Sequence, residues 1–251
     1  MARTIILSPM EAGCTFTGPP PRSRSALFQE NSARYGGGGA FLYSSVTDVS
    51  DSTFLENAAQ DAAGVYIDSA TARFSRCRFE DNQAEYLGGA FYLVSSRAEL
   101  TNCILRRNHA GWEGGGLVSH DSMLSMERVD MLENSTMDSS GALAVAHSDL
   151  TMRWCVVSGN VAVEDPSETS SGGGITIEGG SARIEHCEIL NNDATAGGGI
   201  YLDARYYPFE PVALELTGSI VAYNRGGNVV AEPSDFDPAG ILWNDLYNPE
   251  G

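Results

Sequence analysis

Eight asparagines recur at near-constant intervals, and they constrain the fold more than any other feature of the chain. They are Asn31, Asn57, Asn82, Asn108, Asn134, Asn160, Asn192 and Asn224, separated by 26, 25, 26, 26, 26, 32 and 32 residues. An apolar residue stands three positions before each: Phe28, Phe54, Phe79, Leu105, Met131, Val157, Ile189 and Val221. A fixed period of this length requires stacked supersecondary units, each burying its apolar face against the next. Asn248 reads as a ninth, incomplete copy.

Two further markers keep the same register. After each asparagine comes a small-residue pair and then an apolar stretch: GGAFL at Gly38–Leu42, AGVYI at Ala63–Ile67, GGAFYL at Gly88–Leu93 and GGGLV at Gly114–Val118. The series continues as SGALAV at Ser140–Val145, GGGITI at Gly172–Ile177, GGGIYL at Gly197–Leu202 and GGNVV at Gly226–Val230. Five residues before each asparagine runs a column of small residues: Ala26, Ser52, Cys77, Cys103, Val129, Cys155, Cys187 and Ser219.

Within a copy, apolar residues alternate with a period of two. Phe91 and Leu93 flank Tyr92, and Ala98 and Leu100 flank Glu99. That is strand patterning with one face buried, and no segment carries a helical stripe. The chain is therefore expected to be all-β. The repeat predicts a parallel β-helix of about eight coils, with about 25 residues and three short strands per coil, over residues 26–251 behind an irregular lead-in at 1–25. Glycine pairs suit the bends, where positive φ or close backbone approach is needed. A buried asparagine at a bend can bond its own backbone and its counterpart one rung away. The register also sorts the side chains. Leu42, Ile67, Leu93, Ser119, Val145, Ile177 and Leu202 point inward, while an outward stripe runs Phe41, Tyr66, Tyr92, Val118, Ala144, Thr176 and Tyr201.

The Phe-x-x-Asn boxes at Phe54–Asn57 and Phe79–Asn82, with Gly-Gly-Ala at Gly38–Ala40 and Gly88–Ala90, resemble the repeats of chlamydial polymorphic outer-membrane proteins. More broadly, GGGIYL at Gly197–Leu202 and LTGSIVAYN at Leu216–Asn224 are similar to bacterial right-handed parallel β-helix repeats of the pectin-lyase-like class. The resemblance covers roughly residues 26 to 248. It implies a right-handed coil and an extracellular or cell-surface setting, often adhesive. It implies no reaction, because fold transfers further than function.

A net charge of −18 and a sequence pI of about 4.4 argue against nucleic acid or an anionic membrane as partner. All 15 basic residues are arginine. No stretch is long enough to cross a membrane, and Met1–Pro9 does not read as a signal peptide. The chain ends without an evident cap, which suggests a truncated piece of a longer rod, or end-to-end contact through an open strand edge. Of five cysteines, four fall in the small-residue column as the pairs Cys77/Cys103 and Cys155/Cys187. In-register side chains point the same way, which is poor disulfide geometry, so buried free thiols are expected.

Enzymes built on this fold need clustered carboxylates on an outward face. The best such cluster is Glu56, Glu80 and Asp81, with Arg106 and Arg107 on the following rung. It is the candidate for a bound Ca²⁺. The plainer reading, charge pairing between rungs on a solvated face, is preferred, so no cofactor is expected. His120 and His147 fall on neighbouring rungs at a bend, one position out of register, and are read as exposed turn residues before a transition-metal pair. No nucleophile-elbow, Asn-Thr-Asp, Asp-Asp or Gly-His-Gly motif occurs, and no catalytic residue is assigned.

Two insertions break the period: VAVEDPSETSS at Val161–Ser171 and DARYYPFEPVA at Asp203–Ala213. Loops that leave a regular rod are where repeat proteins keep function. The second carries Tyr206, Tyr207 and Phe209, close to Tyr201. With Tyr66 and Tyr92 these form the candidate ligand-binding set, for a carbohydrate or a surface protein. The favoured function is a non-enzymatic surface scaffold or adhesin-type interaction module. The alternative is a carbohydrate-active enzyme or carbohydrate-binding module, which three or more convergent carboxylates would favour.

Overall fold

The computed structural model describes residues 25–162, 170–203 and 212–232, together with the backbone of short strands at 3–4, 14–16, 23–24, 241–242 and 245–247. These residues form an all-β parallel solenoid of about seven turns with about 26 residues each. One coil shows the plan. It lays down Arg78–Glu80, then the two-residue strand Gln83–Ala84, then Phe91–Val94 and Arg97–Thr101. Each pairs in parallel with its equivalents one coil before and one coil after. The pairings follow the sequence columns residue for residue: Phe79 lies between Phe54 and Leu105, and Tyr92 between Tyr66 and Val118.

In the regular 25- and 26-residue coils four bends close each turn, and each is made by one residue in the left-handed region. In the coil just described they are Arg76, Asp81, Gly88 and Ser95, with φ between 47° and 64°. Most of these positions are not glycine, although non-glycine residues disfavour this conformation. What holds them there is hydrogen bonding to the next rung. At the glycine bend the following N–H is accepted by a backbone carbonyl of the next coil, as Gly89 N–H by Gly114 O; at the other three bends a backbone N–H turns inward, where no strand can accept it. A side chain one coil later accepts it instead. Asn82 N–H donates to Asn108 Oδ1 at 3.1 Å, and Asn108 N–H to Asn134 Oδ1 at 3.0 Å. In the small-residue column, Ala26 N–H donates to Ser52 Oγ and Cys187 N–H to Ser219 Oγ. A third column, missed by the sequence reading, does the same through Ser96, Ser122 and Ser148.

The asparagine column is the most complete of the three. Asn108 Nδ2 donates to Phe79 O at 2.9 Å and to Asn134 Oδ1 at 3.0 Å. Its Oδ1 accepts both Asn82 N–H and Asn82 Nδ2. Two donors and two lone pairs are thus all engaged in a fully buried side chain, which no other residue type supplies in that shape. Among the described residues the column runs as far as Asn228, whose Oδ1 accepts Asn224 N–H and Nδ2. Asn228 sits only four residues on, so here the acceptor comes from within the same coil. The expected ninth copy at Asn248 lies outside the described residues.

The interior is a long apolar column, with a small alanine cluster of Ala63, Ala84 and Ala110 apart from it. Phe28, Phe54 and Phe79 stack with ring centroids 4.4 and 4.7 Å apart, and Phe74 and Phe91 close on Phe79 edge-on or tilted. Beyond them the same positions are filled by Leu105, Met131, Val157 and Ile189. The glycine pair has two separate causes. The first glycine takes the left-handed bend and faces the outward side chain four residues on: a Cβ on Gly88 would meet Phe91 O at 2.1 Å and Tyr92 Cβ at 3.2 Å. The second packs against the next coil, where a Cβ on Gly89 would meet Gly115 O at 2.2 Å and His109 N at 2.8 Å. The four cysteines of the column are buried free thiols.

The amino-terminal segment 1–25, expected to be irregular, carries strands in register with the first coils. Arg3–Thr4 pairs with Ala26–Leu27, Cys14–Phe16 with Ala40–Leu42, and Ser23–Arg24 with Val49–Ser50. No asparagine precedes Asn31, so the repeat frame used to place the boundary could not reach this rung.

Candidate functional site

The outward side of the Phe91–Val94 sheet is the surface on which aromatic and acidic groups converge. Phe41, Tyr66 and Tyr92 occupy successive rungs of the central column. Phe41 stacks on Tyr66 at 5.0 Å, and Tyr66 meets Tyr92 edge-on at 5.2 Å. All three are half-buried, so part of each side chain reaches solvent. Strand alternation alone puts them here, because their neighbours Ala40, Leu42, Val65, Ile67, Phe91 and Leu93 take the core.

The expected stripe continues through Val118, Ala144, Thr176 and Tyr201, and here the structure corrects the sequence reading. All four point outward but are buried, Tyr201 to 2 % exposure. Tyr201 therefore offers no exposed ring. The close approach of the bend glycine contributes: a Cβ on Gly197 would meet Tyr201 Cβ at 2.7 Å. Tyr206, Tyr207 and Phe209 lie outside the described residues.

One border of the face is the column immediately before the glycine bend, with Gly36 bridged to Asp61, and Leu87 bridged to Glu113 and on to Ser139. Asp61 Oδ1 accepts Leu87 N–H at 3.2 Å. Burial raises the Asp61 carboxyl above its ordinary range, the Leu87 amide opposes this, and Glu85 adds to it. Burial pushes Glu113 up to about 8, helped by the negative charges of Glu178 and Asp138. Tyr92 is pushed up to about 12 by burial and by Tyr66, Asp61, Glu113 and Asp121. Beside Glu113, the exposed Trp112 ring lies 4.5 Å from Tyr86. The sequence reading passed over Asp61 and Glu113, although Glu113 directly precedes the small-residue marker at its bend and Asp61 stands two residues before its own.

The opposite border is the bend after this sheet. His120 lies two residues beyond Val118, and His147 sits one rung above Asp121. His120 Nδ1 is 3.9 Å and His147 Nδ1 3.7 Å from the Asp121 carboxylate.

The acidic trio read as a cation candidate does not converge. Asp81 is held by Arg107 through two hydrogen bonds of 2.8 and 2.7 Å, which lower its carboxyl pKa, and Glu80 is taken by Arg78 at 3.0 Å. An ion at Glu56, Glu80 and Asp81 would have to displace Arg107. The same charge pairing recurs across the surface, as Arg76 with Asp51, Arg106 with Glu133 and Arg153 with Glu185.

A model of the right-handed β-helix region matches residues 13–127 and 38–219. The chain belongs to the right-handed β-helix family. Curated proteins and solved structures give no match. Family membership fixes the hand of this β-helix, while its chemistry must be read from its own face. No helix among the described residues is long and apolar enough to cross a membrane.

Proposed function

We propose that this β-helix is a non-catalytic interaction module whose Phe41–Tyr66–Tyr92 face takes an extended carbohydrate in an extracellular or cell-surface setting. The observation that carries this is the run of three half-buried rings, 5.0 and 5.2 Å apart, on one regular sheet with carboxylates alongside. Sugar rings have apolar faces that stack on aromatic rings, and hydroxyls that donate to carboxylates. Rings fixed on strands lose little freedom on binding. The likeness to chlamydial surface-protein repeats supports the setting.

One observation favours a second reading, a glycoside hydrolase or polysaccharide lyase. Burial pushes the Glu113 carboxyl up to about 8, which favours its protonated form, and the negative charges of Glu178 and Asp138 act in the same direction. A protonated carboxyl beside ionised ones is the pairing that acid-catalysed glycoside cleavage uses.

A glycan array run beside an activity screen on neutral and uronate polymers separates the two. The binding module retains one class of oligosaccharide and releases no product. Product that disappears in Glu113→Gln would favour the enzyme. An array with no retained glycan would sink the carbohydrate assignment.

A further inference from the structure

We propose that His120, Asp121 and His147 bind a divalent transition-metal ion of the zinc class, held between two adjacent rungs at the edge of the aromatic face. The proposal does not depend on carbohydrate binding.

The ligand atoms of the three residues all lie within 4.8 Å of one another. The His120 Nδ1–Asp121 Oδ2 and His147 Nδ1–Asp121 Oδ1 separations are 3.9 and 3.7 Å. A tetrahedral ion with bonds of about 2.0–2.1 Å sets its ligand atoms about 3.4 Å apart. The two nitrogen–oxygen separations exceed this by roughly half an ångström or less, and the two imidazoles offer nitrogens within 4.8 Å of each other. Closure falls to rotation of the exposed His120 and Asp121 side chains toward His147, whose side chain is 16 % exposed. The imidazole rings are 5.7 Å apart and tilted by 37°, so neither blocks the other.

The fold holds this geometry. Asp121 and His147 both occupy the left-handed bend position, at φ 49° and 47°, and are register partners of one column. Their side chains are one rung apart because their backbones are. His120 precedes Asp121 and leaves the sheet on the same side. In His147, Nε2 is buried while Nδ1 faces Asp121, so Nδ1 is the nitrogen turned toward the proposed ion. Asp121 and His120 have side chains 55 % and 39 % exposed, which leaves coordination positions open to solvent. At the same two positions earlier coils carry Tyr43 and Ser44, Asp68 and Ser69, and Val94 and Ser95. Those sets hold at most one carboxylate and no imidazole.

Two imidazoles and one carboxylate form a borderline nitrogen–oxygen set. It suits Zn²⁺, Ni²⁺ or Cu²⁺ and is poor for Ca²⁺, which takes six to eight oxygens. Three protein ligands with a vacant fourth position is the arrangement that lets zinc accept an external ligand atom.

The test is calorimetric titration of ZnCl₂ into the full chain after chelator treatment, near physiological salt. The parent should take up one equivalent saturably, and its melting temperature should rise with Zn²⁺. His120→Ala should weaken binding at least tenfold. So should His147→Asn, chosen because asparagine tolerates the left-handed bend. Both variants should melt near the parent without metal and lose the Zn²⁺-dependent rise. Unchanged Zn²⁺ affinity in the His120→Ala/His147→Asn variant would overturn the proposal and point to diffuse binding by surface carboxylates. So would Ca²⁺ competing for the site at equal concentration.

Discussion

At the scale of the residue, the asparagine ladder is the element on which the most depends. Asn108→Leu removes the acceptor of Asn82 N–H and Nδ2 and the donor to Phe79 O, all buried. Each orphaned group costs on the order of 1–3 kcal/mol, so a large drop in thermal midpoint is expected. Asn108→Asp should be worse at neutral pH, because a carboxylate would face the Phe79 and Asn134 oxygens where the amide now donates. Burial and these acceptors raise the pKa of that carboxyl in the folded state. Its penalty should therefore shrink as pH falls and grow as pH rises, which melts of both variants at pH 4 and pH 7 would show. A smaller effect of opposite sign is expected at Ser119, whose Oγ is buried in the apolar column without a hydrogen-bond partner. Ser119→Ala should leave stability unchanged or raise it by up to about 1 kcal/mol in chemical denaturation. The ladder was legible because a side chain with two donors and two acceptors repeats at one interval. The serine column of the fourth bend was not, because Ala70 interrupts it and serine is common at any turn.

At the scale of the element, the bends and the face they frame decide what the surface can do. Gly88→Ala places a Cβ 2.1 Å from Phe91 O at φ 64°. Strain of this kind costs on the order of 1–3 kcal/mol, and a melt matching the parent would refute the close approach. Glu113 gives the face a pH dependence. Its folded pKa, about 8, is raised above the ordinary carboxyl value, so the folded state holds the proton longer than the unfolded chain does. Its contribution to stability is complete below the unfolded pKa and is lost as pH rises through about 8. Relative to Glu113→Gln, the parent should lose midpoint steadily between about pH 4.5 and pH 8, and parallel curves would contradict the burial of Glu113. Alternation placed Tyr66 and Tyr92 on the outward side, and it placed Tyr201 there as well. What alternation could not supply is what covers an outward residue, and Tyr201 is buried for that reason. Asp61, Glu113 and Asp121 sit on different coils and converge on Tyr92 only through stacking. No local motif records that.

At the scale of the whole molecule, each coil touches mainly its neighbours, so stability adds up rung by rung, and a surface change on one rung leaves the rest standing. This separates binding from folding. The aromatic column tolerates small residues in later coils, where Ala144 and Thr176 take its place, so Tyr66→Ala/Tyr92→Ala should fold. The most direct measurement is the equilibrium affinity of that double variant, beside the parent, for the oligosaccharide best retained on the array. A dissociation constant at least tenfold weaker, with the melting temperature within a few degrees of the parent, is expected if the Phe41–Tyr66–Tyr92 face is the binding surface. An unchanged dissociation constant in the folded variant would contradict it.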